Sequence, residues 1–218
     1  MKYVQLIEDL MQFYASGEFS SEAVQGKNEF YEFAGIFDEQ SQNFDLKMAQ
    51  FTDWYIFSRP LSNFKKTPIQ HLVEKRPFRI AEEDEVYYRN MSHTRYSLFE
   101  FLKFKGRDLY VCDLFSQYKH TIKDSPVTFG FVHEELFHGR LIPHEDSFVF
   151  TPAFCFHPPE ATKFVLSEVK KVTKLPESEQ AEAREKLLMR LFRMRSKFEQ
   201  YRHVGIQEIY SNDSKIRV

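Results

Sequence analysis

The 218 residues suffice for one large domain or two small ones, and 24 Phe with 11 Tyr supply a large apolar interior without disulfides or structural metal. With 30 basic and 32 acidic residues the formal charge is −2, so no global field selects nucleic acid or an anionic membrane, and either would have to be recruited by a local patch. Cys112 and Cys155, the only cysteines, allow at most one bridge and are expected as reduced thiols in the cytosol.

The opening stretch, MKYVQLIEDLMQFYASGEF, is broken by Glu8, Asp9 and Gln12 and has no continuous apolar region of the kind an export signal needs. No window approaches the roughly 18 uncharged apolar residues of a membrane helix. A cytoplasmic protein with no membrane partner is expected.

Residues 1–92 read as helical. Tyr3, Ile7, Leu10 and Tyr14 form one apolar stripe that Gly17 stops. Phe30, Phe33, Ala34 and Phe37 form a second, interrupted at Gly35, and Phe44, Met48, Phe51 and Tyr55 a third that ends before Pro60. The next helix has the clearest start in the chain: Thr67 caps, Pro68 takes the first helical position and Gln70 completes a capping box, with Leu72 and Val73 expected to face inward. Four acids at 82–85 read as the solvated first turn of a fifth helix.

The period changes near Tyr96. Phe99, Phe101, Leu109 and Val111 alternate with polar neighbours around Gly106, which predicts a hairpin. QYKHTI, PVTFGFV, ELFHGRLI and SFVFTPAFCF follow, each short, aromatic or β-branched, and bounded by turn residues. Five or six such strands predict a small antiparallel sheet curled into a barrel. Pro158 and Pro159 then open a helix with Ala161, Val165, Val169 and Val172 inward, and Pro176 ends it. The last helix, from 177 to about 203, carries Leu187, Leu191, Met194, Phe198 and Tyr201 in four- and three-residue steps, widened by Leu188 and Phe192. The polar tail after Gly205 is expected to be extended or frayed. The fold class is therefore α+β in one domain, 1–218: a helical part (1–92), a central small antiparallel β-barrel or curved sheet (96–156) and two C-terminal helices (158–205).

Two surfaces stand out chemically. On the last helix Lys186, Arg190, Arg193 and Lys197 repeat the apolar spacing offset by one residue, a basic ridge fit to neutralise phosphates or meet an acidic surface; the plainer reading is a flank whose stems cover apolar side chains. In the last strands His133, His138, His144, Cys155 and His157 gather. Cys155 and His157, two apart, point the same way on a strand, so with His138 or His144 they make a candidate metal set. HEELFH is not HExxH, and the plainer reading is a buried thiol and a histidine capping the next helix. Glu134 with Glu135, and Asp113 with His120, are the only acid/base pairings offered, and each would need a pocket. Trp54 and Tyr55 beside Arg59 suggest an aromatic-basic clamp or, more simply, an anchor to the core. With 7 Gly and no GxSxG, GxxxxGK[ST] or GxGxxG, no nucleotide-cradling or nucleophile motif is present and no cofactor is expected.

WYIFSRPL (54–61), TPIQHL (67–72), YSLFEF (96–101), DLF (113–115), RLIP (140–143) and FCFHPPEA (154–161) resemble, in that order, an uncharacterised bacterial family. Its members look like helical segments followed by a β-rich module. Some similar-looking proteins carry a zinc-binding SEC-C tail, whose cysteine pattern this chain lacks. The resemblance covers about residues 30–160; it implies the architecture and a bacterial cytosolic setting, and carries over no metal or catalytic residue.

Three functions are ranked on these grounds. The first is a non-enzymatic interaction or regulatory adaptor, binding an unknown protein partner through the β module and the last helix, where an exposed Leu191, Met194 and Phe198 seam would form a homodimer. The second is a nucleic-acid or ribosome-associated binder using the basic ridge, and the third a metal-dependent enzyme centred on Cys155 and His157.

Overall fold

The computed structural model describes residues 2–35, 40, 43–126, 131–132 and 134–213. The N-terminal helices are α1 (Lys2–Tyr14), α2 (Ser20–Ala34), α3 (Phe44–Phe57), α4 (Pro68–Lys75) and α5 (Glu85–Met91). Tyr3, Ile7, Leu10 and Tyr14 are all buried on α1, as their spacing predicts. α2 stops where Gly35 takes φ +76°; Phe37 lies outside the described residues. The capping box of α4 is formed, with Thr67 Oγ1 accepting from the Gln70 amide at 3.4 Å and Gln70 Oε1 accepting from the Thr67 amide at 3.0 Å. Its inward face differs from expectation by one position: Ile69 and Leu72, about a turn apart, are buried, whereas Val73 is 43% exposed. The acids at 82–85 form a 3-10 turn (Glu82–Asp84) leading into α5.

Among the described residues six antiparallel strands follow: β1 (Arg95–Lys105), β2 (Asp108–Asp113), β3 (Lys119–Ile122), β4 (Leu136–His144), β5 (Ser147–Phe150) and β6 (Cys155–Phe156). Their order is β3-β2-β1-β4-β5, with β6 also pairing with β4, and they make a curled half-barrel in the middle of the chain. The hairpin around Gly106 (φ +60°) pairs Lys105 with Asp108 and carries an irregularity between Phe101 and Lys103. Both Leu98 and Phe99 are wholly buried, so β1 has apolar contacts on both faces and strict alternation describes only part of it. Of the expected PVTFGFV strand, residues 127–130 lie outside the described set.

The C-terminal helices are α6 (Thr162–Thr173), preceded by a 3-10 turn (Pro159–Ala161), and α7 (Glu177–Gln200). Beyond them the tail is not frayed over its described part. Ile206, Ile209 and Tyr210 share a helical face, a short α8 (Ile206–Ile209) forms, and Ile209 and Tyr210 are buried. The architecture is α+β.

The chain divides into two compact units that interleave in sequence: Met1–Glu32, Ile36–Arg95 and Arg140–Phe154 in the first; Phe33–Gly35, Tyr96–Gly139 and Cys155–Val218 in the second. The interior of the first is built on Leu10, Tyr14, Tyr55, Ile56, Leu61 and Leu72. That of the second joins Leu98, Leu114 and Leu136 to Val165, Val169, Leu187, Leu191, Met194 and Ile209.

Candidate functional site

The histidines singled out by sequence are distributed between the units. His144 lies in the first, where Tyr87 stacks on its ring at 6.1 Å and Tyr3 meets it edge-on at 5.4 Å, with the Tyr3 hydroxyl 3.3 Å from Nδ1. His138 and His157 lie in the second and are brought together, ring centroids 4.8 Å apart. The antiparallel pairing of β4 with β6 sets Cys155 opposite His138, and the His157 amide extends that ladder by donating to Leu136 O at 2.9 Å. His133 lies outside the described residues. Among the described residues no group of three or more His, Cys, Asp or Glu side chains is arranged to hold a metal ion.

His138 and His157 each have a tyrosine on one nitrogen. The Tyr96 hydroxyl is 3.0 Å from His138 Nδ1, and the Tyr210 hydroxyl is 2.9 Å from His157 Nδ1. Both Nε2 atoms are buried without a hydrogen-bond partner among the described residues. Loss of solvation holds the pair neutral: His138 is pushed down to about 3, and His157 is driven well below the ordinary value by burial, then by His138 and by the Arg195 charge. Burial moves the Tyr210 phenol the other way, upward, so it stays protonated. A neutral, desolvated chain of this kind is a poor acid/base device at neutral pH.

Tyr210 also forms one wall of a cleft. Ala161, Phe164, Ile206 and Tyr210 give it an apolar lining, Glu160, Lys163, Ser167 and Gln207 surround them, and its volume is about 370 Å³. All eight residues come from the second unit: the 3-10 turn before α6, the first turns of α6, and α8 with the residue after it. Sequence reading missed this site because it assigned the tail to coil. The signal was available in the three-residue step from Ile206 to Ile209 and in the tyrosine that follows.

The basic ridge of α7 is largely engaged within the chain. Arg190 pairs with the buried carboxylate of Glu168 and donates to Asn212 Oδ1 at 2.9 Å. Arg193 lies over the Phe33 ring at 5.8 Å, Lys197 over the Tyr201 ring at 5.4 Å, and exposed Lys186 pairs with Glu182 one turn away. Leu191 and Met194 are in the core, and Phe198 packs half-buried against it. Asp113, the proposed partner of His120, is taken up by its own turn, its Oδ1 accepting from the amides of Phe115 and Ser116 at 2.9 and 3.0 Å. Glu135 Oε2 accepts from the Val132 amide at 2.9 Å. Trp54 sits against Phe30 at 5.6 Å and Arg59 is a buried partner of Glu22 and Glu29, an anchor rather than a clamp.

The second unit thus carries an apolar cleft beside α6 and α8, and a pair of imidazoles, His138 and His157, each with a tyrosine hydroxyl at Nδ1. The chain belongs to the family of unknown function DUF7986, whose model matches residues 2–211. It matches no curated protein and no solved structure. Among the described residues no helix is long and apolar enough to cross a membrane.

Proposed function

We propose that this protein is a non-enzymatic interaction protein of the bacterial cytosol whose partner docks a side chain in the cleft between the start of α6 and α8. The observation that carries this is the cleft itself: about 370 Å³, chiefly apolar at its base and polar at its rim, a combination that gives burial and orientation together. Cys112 and Cys155, both buried and unbridged, support the reducing compartment. Ser167 is exposed and lines the cleft, so Ser167→Trp obstructs it without touching the core. Native protein and the Ser167→Trp variant are purified side by side and their companions identified by mass spectrometry. A companion held by the native chain and lost from the folded variant supports the reading; identical companions on both refute it.

A second reading is favoured by the two orphaned imidazole nitrogens: a transition metal held by the histidine pair His138 and His157. A hydrogen bond to the far nitrogen of each ring is the arrangement that orients histidine ligands. Metal analysis of protein purified without chelator or nickel resin decides it: a stoichiometric zinc or copper content supports the site, and none removes it.

A further inference from the structure

We infer that the cleft's partner is an acidic protein segment with an apolar anchor, running from the cleft along the solvent face of α6; this rests on the cleft reading above. α6 and its C-cap carry four lysines against one glutamate, and that glutamate, Glu168, is buried and paired with Lys171 and Arg190. The other three lysines, Lys163, Lys170 and the C-cap Lys174, are exposed and have no ion pair among the described residues. At about 100° per residue, steps of seven and eleven return to within roughly 20° of the start, so these three lysine positions lie along one line of the helix about 16 Å long. Ser167 falls close to that line and Leu166, 40% exposed, flanks it.

The line begins at the cleft, since Lys163 and Ser167 belong to both. Helix stability does not account for it. Lys170 and Lys174 near the C-terminal end suit the helix dipole, but Lys163 sits in a first turn that has no acid, where a cation opposes it. Glu160, on the preceding turn, offsets only part of that cost. A row of cations with no ion pair among the described residues, leading out of an apolar socket whose rim carries the single acid Glu160, is complementary to an apolar side chain followed by carboxylates. An extended chain advances about 3.3 Å per residue, so roughly five residues span the row.

The probe is a fluorescently labelled peptide with one phenylalanine followed by five glutamates, measured by anisotropy against the full chain. Its controls are the same peptide with glutamines for glutamates and with serine for phenylalanine. The expected result is binding that weakens at least tenfold between about 50 and 300 mM salt, and at least tenfold on Lys170→Glu with Lys174→Glu or on loss of the phenylalanine. Both lysines are exposed, so the double variant keeps its circular dichroism spectrum. If the glutamine peptide binds as well as the glutamate one and Ser167→Trp abolishes both, the acidic partner is refuted while the cleft reading stands. Should no peptide bind and Ser167→Trp retain every companion, both fall together. Tighter, lysine-dependent binding of single-stranded DNA or phosphatidylserine vesicles overturns the peptide in favour of another polyanion.

Discussion

Arg140 on β4 reaches Asp53 on α3, Nε to Oδ2 at 2.9 Å, with both side chains almost fully buried. The pair is tied on every side: Thr151 donates to the other Asp53 oxygen at 2.8 Å, Arg140 donates to Ser58 Oγ at 2.7 Å and Thr94 Oγ1 at 3.2 Å, and the guanidinium lies over the Phe57 ring. Removing one charge leaves the other buried with too few partners. Asp53→Ala or Arg140→Ala is expected to cost about 3–5 kcal/mol of unfolding free energy. The double variant should cost clearly less than the sum, since it strands no charge. Urea denaturation of the four proteins checks both statements; additive costs would show that the two side chains are not coupled.

Gly26, buried in the middle of α2, reverses the usual sign of a helical glycine. Replacing an interior glycine by alanine ordinarily gains about 1 kcal/mol. Here a Cβ would stand 2.8 and 2.9 Å from the Tyr55 ring, which is wholly buried and anchored by its hydroxyl to Tyr14 O at 2.8 Å. With the ring unable to retreat, Gly26→Ala is expected to lose about 1–3 kcal/mol. A thermal melt above that of the native chain would contradict this.

These relationships mark where reading the sequence succeeds and where it stops. The stripe Tyr3, Ile7, Leu10, Tyr14 and the Thr67–Gln70 box are local patterns, written within a few residues of one another, and both form. The spacing of Cys155 and His157 likewise sets them on β6 and its continuation, opposite β4. The tyrosines that complete the cluster, 42 residues before His138 and 53 after His157, obey no local rule. Charge spacing on α7 is legible in the same partial way: periodicity displays Arg190 but not Glu168, its partner 22 residues earlier. The segments singled out for their resemblance contain several hydrogen-bonded polar groups: Arg59, Asp113, Arg140 and His157, all buried, and the half-buried Tyr96.

Acid should destabilise the fold through His138 and His157 before it acts on the carboxylates. Both imidazoles are held neutral by burial in the folded state and return to an ordinary value near 6.5 on unfolding. The unfolded chain therefore binds more protons below pH 6.5. The stability is intact above that pH and is lost as pH falls from 6.5 toward the depressed folded values. His71, also lowered by burial, acts in the same sense, whereas the depressed carboxylates Glu22, Glu29 and Glu168 matter only below about 4.5. Between pH 6.5 and 5 the slope contributed by the pair should approach, and not exceed, about 3 kcal/mol per pH unit. His157→Gln should flatten that slope whatever it does to absolute stability. An unchanged slope in the variant would place the titration elsewhere.

Arg190 and Lys186 separate two views of the α7 cations. Were the ridge a docking surface alone, removing either residue would leave folding untouched. Instead Glu168, only 7% exposed in its side chain, is held by Arg190, Lys171 and Asn212. Burial tends to raise its carboxyl, and the hydrogen bonds from Lys171, Asn212 and Arg190 outweigh it and keep the group below the usual range. Arg190→Ala removes one of those partners together with the bond to Asn212, and is expected to cost about 1–3 kcal/mol. Lys186, 74% exposed in its side chain and paired only with Glu182, should cost no more than about 0.5 kcal/mol as alanine. Chemical denaturation of both variants at neutral pH reads the difference, and equal, negligible effects would return Arg190 to the solvent.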